Sequence, residues 1–261
     1  MSNRNLLEIL VVLEIIFIVL FMLIPLPVII VDILIGLNLL YTFIILIFVL
    51  MVKKITKIFL LPSLVLISLL ITPGINISAF IVIFSKGQDF NGWLICTINN
   101  LIAGSGVPEK YIDSFFATLI VSTIMFMIII KIVVYLPEVA ARVRLDVMAV
   151  SNMVIDAELT SEMITEDEAI EKKNNLQKEV DFYLALDGVS KFISGNAKLN
   201  IWFIVIIIVG GTAVDYLYRN IPIIDALKTY TCLSAGSWFL FSLPLLIIAT
   251  GVGIAVTRSY C

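Results

Sequence analysis

The sequence has no histidine, few charged residues and only three cysteines, and each shortage excludes a kind of site. Without histidine, the chain has no imidazole general base and no histidine-ligated metal site. The cysteines, Cys96, Cys232 and Cys261, are odd in number and far apart. Zinc sites use close cysteine pairs, and disulfide frameworks use even numbers. We therefore expect these cysteines to be ordinary apolar packing residues.

Motifs for catalysis are lacking as well. The chain has no glycine-rich phosphate loop, no nucleophile elbow and no paired metal-ligand motif. Asp146 and Asp156 are ten residues apart but have no partner that would make them an acid–base pair. The net charge of −3 argues against nucleic acid as a partner. We predict no enzyme, no catalytic residue, no metal and no cofactor.

Long apolar blocks are abundant instead. Hydrophobic residues make up 61% of the chain and charged residues 14%, whereas soluble domains are about a quarter charged. A membrane-spanning helix needs roughly 20 mostly apolar residues. We predict an all-α integral membrane protein with at least six transmembrane helices. Their predicted ranges are 6–24, 28–52, 58–84, 112–136, 201–216 and 230–256.

These ranges divide the chain into three parts: membrane helices in 1–136 (four spans), a helical cytoplasmic segment in 137–198, and membrane helices in 199–261. With the N-terminus inside, twelve Lys and Arg residues fall on the inner side of the membrane and four on the outer side. Basic residues in short loops favour the cytoplasm. We therefore predict that both termini are cytoplasmic and that the lipid bilayer is the main partner.

The third predicted span contains Thr72-Pro73-Gly74. Proline lacks a backbone donor and glycine loosens the helix, so we expect this segment to be interrupted. Two interpretations are open. One is a kink that serves packing, and the other is a broken helix beside a transport path, as in many transporters.

The cytoplasmic segment carries a helix start signal. Thr165 and Glu168 have the spacing of a capping box. The helix that follows is predicted to run toward the fifth span and to carry, opposite a charged face, an apolar stripe made of Ile170, Leu176, Val180, Tyr183, Leu184 and Ile193.

Two acidic residues lie inside predicted spans, Glu14 in the first and Asp32 in the second. An aspartate at membrane depth costs roughly 2.5–3.5 kcal/mol on insertion scales, so it normally faces protein or water. Asp32 is also close to the boundary at Pro27. An ion-coupling carboxylate and an acid that reaches the interface are both open interpretations.

Three ordered stretches carry a family resemblance. The first contains Glu138-Val-Ala-Ala-Arg142, Leu145-Asp146-x-Met148 and Met153-x-Ile155-Asp156. The second includes Asp187-Gly188-x-Ser190-Lys191-Phe192, and the third Pro244-x-Leu246-x-Ile248 and Gly253-Ile254-x-Val256-Thr257-Arg258. Asn38 and Asn76 fit the same pattern. Together they resemble the FHIPEP family, the export-gate proteins of flagellar and type III secretion systems.

The resemblance implies a non-enzymatic component of a protein export apparatus in the bacterial inner membrane. It also implies a homo-oligomeric ring that meets other export-apparatus membrane proteins. The family-signature residues are Glu138, Arg142, Asp146, Met148, Met153 and Asp156. The candidate transport or coupling residues are Glu14, Asp32, Asn38, Asn76, Asp187, Lys191 and Asn196. For Lys191, a lysine that reaches the membrane interface is an equal alternative. The family's large cytoplasmic domain is expected to be absent.

Departures from the family pattern remove charges. Asn196 and Ser237 stand where the family carries aspartates, Thr72 and Ile81 replace two arginines, and residues 149–152 replace Pro-Gly-Lys-Gln. We therefore expect that the chain does not by itself couple proton flow to export. Two other functions remain open: a stand-alone ion or solute transporter or channel, and a regulatory or degenerate membrane partner without transport.

Overall fold

The computed structural model describes Ile16 and residues 26–52, 60–103 and 111–258. Every regular element in these ranges is helical, so the predicted all-α fold is confirmed. In chain order the elements are α1 (Val28–Met51), α2 (Leu61–Lys86) with a 3₁₀ turn (Gly87–Asp89), α3 (Trp93–Ala103), α4 (Tyr111–Ile129) with a π-helical turn (Ile130–Tyr135), α5 (Leu136–Thr160), α6 (Glu166–Tyr218) and α7 (Ile223–Arg258).

Four helices of the described ranges are long and apolar enough to cross a membrane: α1, α2 with its 3₁₀ turn, α6 and α7. They correspond to the predicted spans 28–52, 58–84, 201–216 and 230–256, although α6 begins long before residue 201. The predicted span 112–136 corresponds to α4 and the π-helical turn, where the apolar helical stretch is shorter, Thr118–Ile129. The predicted span 6–24, with Glu14, lies outside the described residues except for Ile16. The total of six spans stays a prediction.

The third span was predicted to be interrupted at Pro73, and a break of the helix there is wrong. α2 runs without interruption from Leu61 to Lys86 and contains Pro73 in its interior. Proline removes one helical hydrogen bond, to the carbonyl four residues earlier. A helix tolerates this inside a bundle when neighbouring side chains supply the missing donor. The contacts of that carbonyl are described below.

α5 and α6 form a helical hairpin joined by a short turn. Glu162 adopts a left-handed conformation there, with φ 57°. The predicted capping box is confirmed, since the Glu168 N–H donates to Thr165 Oγ1 at 3.3 Å and the Thr165 N–H donates to Glu168 Oε2 at 2.9 Å. α5 follows directly on the π-helical turn, and Pro137 in its first turn has no N–H to donate to that turn.

α6 is 53 residues long, which corresponds to about 80 Å at 1.5 Å per residue. Lys198 lies in its middle, so the predicted cytoplasmic segment and the fifth span share one helix. The predicted apolar stripe is partly confirmed, because Val180, Tyr183 and Ile193 are buried. It is wrong for Ile170 and Leu184, which are 52% and 43% exposed.

The core lies around α7, which contacts all six other helices. Its close approach to α3 depends on Gly236, where a Cβ atom would collide with the Ile95 carbonyl. α1, by contrast, turns one long face away from the rest of the protein. The exposed apolar side chains of this face are Ile29, Ile33, Leu37, Leu40, Phe43, Ile44 and Ile47. This is the surface expected to meet lipid.

Candidate functional site: polar side chains between the membrane helices

Neutral polar side chains in the bundle interior form three separate sets of hydrogen bonds between the membrane helices. The first set lies between α1 and α2, where Asn38 Nδ2 donates to Thr72 Oγ1 at 3.1 Å. The Thr72 hydroxyl in turn donates to the Ser68 carbonyl at 2.8 Å. Both Asn38 and Thr72 are buried. The family pattern has an arginine at position 72. Thr72 instead makes neutral hydrogen bonds there, which need no charge.

The second set joins α2, α6 and α7. Asn76 Nδ2 donates to Asn200 Oδ1 at 3.3 Å, and Asn200 Nδ2 donates to the Phe241 carbonyl at 3.2 Å. Both asparagines are 3% exposed. Pro244 follows on α7 and deprives the neighbouring Leu240 carbonyl of its helical donor. Asn200 is thus hydrogen-bonded to α7 in the turn where Pro244 removes a helical hydrogen bond.

Asn196 lies one turn before Asn200 on α6. Its side-chain amide donates to the Leu69 carbonyl of α2 at 2.9 Å. The sequence places Asn196 where the family carries an aspartate, and the structure gives the asparagine a defined structural contact. An ionised carboxylate has no proton to donate to a carbonyl, whereas an amide does.

These five residues, Asn38, Thr72, Asn76, Asn196 and Asn200, are called the amide cluster below. Its side chains are amides and a hydroxyl, which do not titrate in the physiological range. The cluster can join helices and bind polar groups, but it has no side chain that gains or loses a proton at neutral pH. Within the described ranges, no group of three or more Cys, Asp or Glu residues is arranged to hold a metal ion.

An ion pair lies near the C-terminal ends of α2 and α6, and the sequence analysis did not predict it. Asp215 of α6 is fully buried, and its Oδ1 accepts from Arg219 Nη1 at 2.5 Å and from the Tyr230 hydroxyl at 3.0 Å. Arg219 Nη2 also donates to the Phe84 and Ser85 carbonyls, at 2.9 and 2.6 Å. These carbonyls are at the C-terminus of α2, where the helix supplies no donors.

The sequence did contain a signal for this pair. An aspartate and an arginine four residues apart share one helix face, and both precede the turn before α7. Gly87 makes room for the arginine, because a Cβ atom there would collide with the guanidinium and its φ of +56° suits glycine. Asp215, Arg219 and Tyr230 are called the outer ion cluster below.

Asp32 has a specific partner rather than a place in the amide cluster. Its carboxylate accepts from the backbone N–H of Trp93 at 2.7 Å. Trp93 is the first residue of α3, whose leading N–H groups have no acceptor within the helix. A carboxylate is also favoured at this positive end of a helix. Asp32 therefore caps α3 from a position 61 residues earlier in the chain.

The remaining sequence candidates lie on the hairpin and outside the amide cluster. Asp187 and Lys191 form an ion pair one turn apart, with 2.9 Å between Lys191 Nζ and Asp187 Oδ2 and a lysine side chain that is 71% exposed. Glu138 and Arg142 form a similar exposed pair at 2.6 Å. Surface pairs of this kind contribute little stability, about 0–1 kcal/mol.

The other signature residues are at the surface of α5. Asp156 accepts from Lys173 Nζ at 2.6 Å and so holds α5 to α6. Asp146 and Met153 are exposed, and Met148 is half-buried. The structure thus brings Asn38, Asn76 and Asn196 together, and leaves Asp32, Asp187, Lys191 and the signature residues at other places.

Comparisons with known proteins identify the family of this chain. The model of the FHIPEP family matches residues 18–260. The flagellar biosynthesis protein FlhA of Treponema pallidum (strain Nichols) is 37% identical over 236 residues, 90% of this chain and 33% of that protein. FlhA of Borreliella burgdorferi is 35% identical, and FlhA of Bacillus subtilis (strain 168) 34%, each over 259 residues, 99% of this chain and 37% of theirs.

The chain spans about a third of the length of these relatives. No solved structure matches it. The matched region nonetheless includes all the helices described above, from α1 to α7. This multi-pass membrane protein belongs to the FHIPEP family.

Proposed function

We propose that this chain is the membrane portion of an export gate in a flagellar or type III protein export apparatus, and that it acts without enzymatic chemistry. The observation that carries the proposal is the family match over residues 18–260, with FlhA proteins as relatives over nine-tenths or more of the chain. The polar contacts across α1, α2, α6 and α7 are consistent with the proposal, because they join these helices into a defined bundle.

The test is complementation. A strain that lacks this gene is supplied with the chain, and export is measured as flagellar filament length and as export substrate in the culture medium. Restored export supports an export-gate role. If the deletion strain exports as well as the parent strain, the result contradicts an export-gate role and favours the regulatory or degenerate partner. Solute or ion flux through liposomes that contain the chain alone, without any export phenotype, favours the stand-alone transporter or channel.

The proposed arrangement places the protein in the bacterial inner membrane with both termini in the cytoplasm. The Asp32–Trp93 and Arg219–Ser85 contacts lie at one end of the bundle, and the α5–α6 hairpin extends from the other. Basic residues are concentrated toward the hairpin end. A single cysteine introduced at Glu166 should react with a membrane-impermeant maleimide only after the inner face is opened. Labelling from the outer side of intact cells would reverse this topology.

Assembly is proposed as a homo-oligomeric ring in contact with other export-apparatus membrane proteins. The broad exposed apolar face of α1 leaves room for lipid or a neighbouring subunit. Chemical cross-linking in membranes, followed by mass determination of the purified complex, tests this. A monomer at native expression levels would contradict the ring.

Roles for the family-matched residues are also proposals. Lys191, exposed on the hairpin and paired with Asp187, is proposed to act in export. Lys191→Ala should then abolish export while membrane insertion and protein level stay normal, because the pair contributes little to stability. Lys172→Ala, which breaks the exposed pair of Lys172 with Glu158, is the matched control for loss of a surface ion pair on the same helix. Normal export in Lys191→Ala would leave the lysine as an interfacial residue.

Proton coupling through Asn196 is proposed to be lacking in this chain. The support is the neutrality of the amide cluster and the contact that binds the Asn196 side chain. Proteoliposomes that contain the purified chain should show little proton flux when a pH gradient is applied. Strong flux that is the same in Asn196→Asp would place coupling in other groups, with Glu14 and Asp32 the first to test.

A further inference from the structure

One buried donor inside the bundle lacks a protein acceptor. Trp238 of α7 is 4% exposed, and its indole Nε1 has no hydrogen-bond acceptor among the described residues. The indole N–H can only donate, and buried tryptophans normally find a partner for it. A buried donor without a partner costs about 1–3 kcal/mol. This position lies at membrane depth, where bulk water does not reach.

Trp238 also lines a small cavity between α4, α6 and α7. The space open to the centre of a water molecule is about 10 Å³. A cavity that can enclose one sphere of water size, about 10–15 Å³ of occupied volume, is large enough for a bound water. Apolar side chains, including Phe126 and Ile129, form one wall. The neighbouring hollow on the α2 side, beside Asn76 and Asn196, gives about 0 Å³ on the same measure. The two hollows flank Asn200, and only the one at Trp238 has the size of a bound water.

Polar partners are present on two helices. Ser242 lines the cavity one turn after Trp238 on α7 and is 2% exposed. Asn200 lines it from α6, and its Nδ2 carries a second hydrogen besides the one donated to Phe241. A buried water needs two to four polar partners. Trp238, Ser242 and Asn200 provide three.

From these observations we infer that the cavity is a binding site for a single water molecule, which accepts from the Trp238 indole N–H. The water extends the hydrogen bonds of the amide cluster from Asn200 to the side chains of Trp238 and Ser242 on α7. It gives the protein a hydrated point in the membrane interior without an ionisable side chain. This inference is independent of the role in export.

Radiolytic footprinting in H₂¹⁸O tests the site with the purified full chain in lipid nanodiscs. Hydroxyl radicals formed from a bound water label the side chains beside it, whatever their exposure. Trp238 should incorporate ¹⁸O severalfold faster than Phe241, after correction for intrinsic ring reactivity. Phe241 is a matched control, because it is on the same helix and 3% exposed but does not line the cavity. Equal corrected labelling of the two residues would overturn the site.

A fluorescence experiment provides an independent readout. Trp93 and Trp202, both exposed, are changed to phenylalanine so that Trp238 alone emits. Ser242→Val removes a polar partner and fills the cavity. The Trp238 emission should shift to shorter wavelength in this variant, and its ¹⁸O labelling should fall severalfold. An emission maximum and a labelling rate unchanged by Ser242→Val would contradict the water site, and the footprint of the unsubstituted chain stands even if this variant does not fold.

Discussion

The Asn196 side-chain amide donates to the Leu69 carbonyl, which is the carbonyl that Pro73 leaves without a helical donor. Pro73 is four residues after Leu69 on α2 and has no N–H. α6 therefore supplies, from a side chain, the hydrogen bond that α2 lacks. This contact explains how α2 stays continuous through its proline at membrane depth.

The first prediction concerns an aspartate at this position. Asn196→Asp places an ionised carboxylate, which only accepts, against a carbonyl that also only accepts. We expect the purified protein to be less stable at neutral pH, by about 1–3 kcal/mol from the unsatisfied carbonyl alone. Lowering the pH should recover part of the loss, because the protonated carboxyl can donate. Thermal unfolding in detergent at several pH values measures this.

Asn196→Ala is the control for that experiment. It removes the donor without adding a charge, so its stability loss should not depend on pH. If Asn196→Asp and Asn196→Ala respond identically to pH, the carboxyl has found another donor, and the assignment of the Leu69 contact fails.

The second prediction uses Pro73 itself. Pro73→Ala restores a backbone N–H that can reach the Leu69 carbonyl within α2. The loss caused by Asn196→Ala should then be smaller in the Pro73→Ala background, by about 1 kcal/mol. A double-mutant cycle from thermal unfolding gives this coupling. Strictly additive effects would show that the two residues do not share the carbonyl.

The third prediction separates capping from ion coupling at Asp32. Asp32→Asn keeps an acceptor for the Trp93 N–H and removes the charge, whereas Asp32→Ala removes both. If capping is its role, Asp32→Ala should lose about 0.5–2 kcal/mol, and Asp32→Asn should lose less and retain export. Export abolished in a stably folded Asp32→Asn variant would instead point to a charge-dependent role.

The sequence predicted the local elements well. The apolar stretches 28–52 and 230–256 predicted α1 and most of α7. The capping box of Thr165 and Glu168 predicted the start of α6. These signals depend on residues close together in the chain. The apolar stripe was less accurate. Phe182 and Leu186 are buried, and Leu184 lies two residues, about 200°, from each of them, so its side chain points away from the buried face.

Long-range partners could not be predicted in the same way. Asn196 and Leu69 are 127 residues apart, and Asp32 and Trp93 61 residues. Such contacts depend on the rotation and depth of whole helices, which the sequence of one helix does not determine. Asp32 therefore had two interpretations, and neither was a cap. The Pro73 segment was expected to break, because the sequence of α2 does not show that Asn196, on another helix, donates to the Leu69 carbonyl.

The fourth prediction concerns pH at the tip of the hairpin. The pKa of Glu168 is below its usual value, because its carboxylate accepts from the Thr165 backbone N–H. A lowered folded-state pKa stabilises the folded cap above the pKa of the unfolded chain, and this contribution is lost as pH falls through the folded-state value. Protection of the Thr165 amide from hydrogen exchange, corrected for intrinsic rates, should fall in acid. Glu168→Gln keeps an acceptor and should lose this pH dependence.

The last prediction concerns the outer ion cluster. Removal of the Arg219 charge should lower stability more than removal of the Asp215 charge. Asp215 is fully buried, whereas the Arg219 side chain is 31% exposed. Arg219→Ala leaves a buried carboxylate without its cation, a loss of about 3–5 kcal/mol in comparable pairs. It also leaves the α2 carbonyls of Phe84 and Ser85 without a donor.

Asp215→Asn should cost less, because the arginine can turn toward lipid headgroups or water and the amide can still accept from Tyr230. Arg219→Lys serves as the control, since it keeps a positive charge but cannot reach the aspartate and two carbonyls with one planar group. We therefore expect the order of melting temperatures to be unsubstituted chain, Asp215→Asn, Arg219→Lys and Arg219→Ala, from highest to lowest. Asp215→Asn as the least stable variant would show that the carboxylate, and not the guanidinium, holds the end of α2 in place.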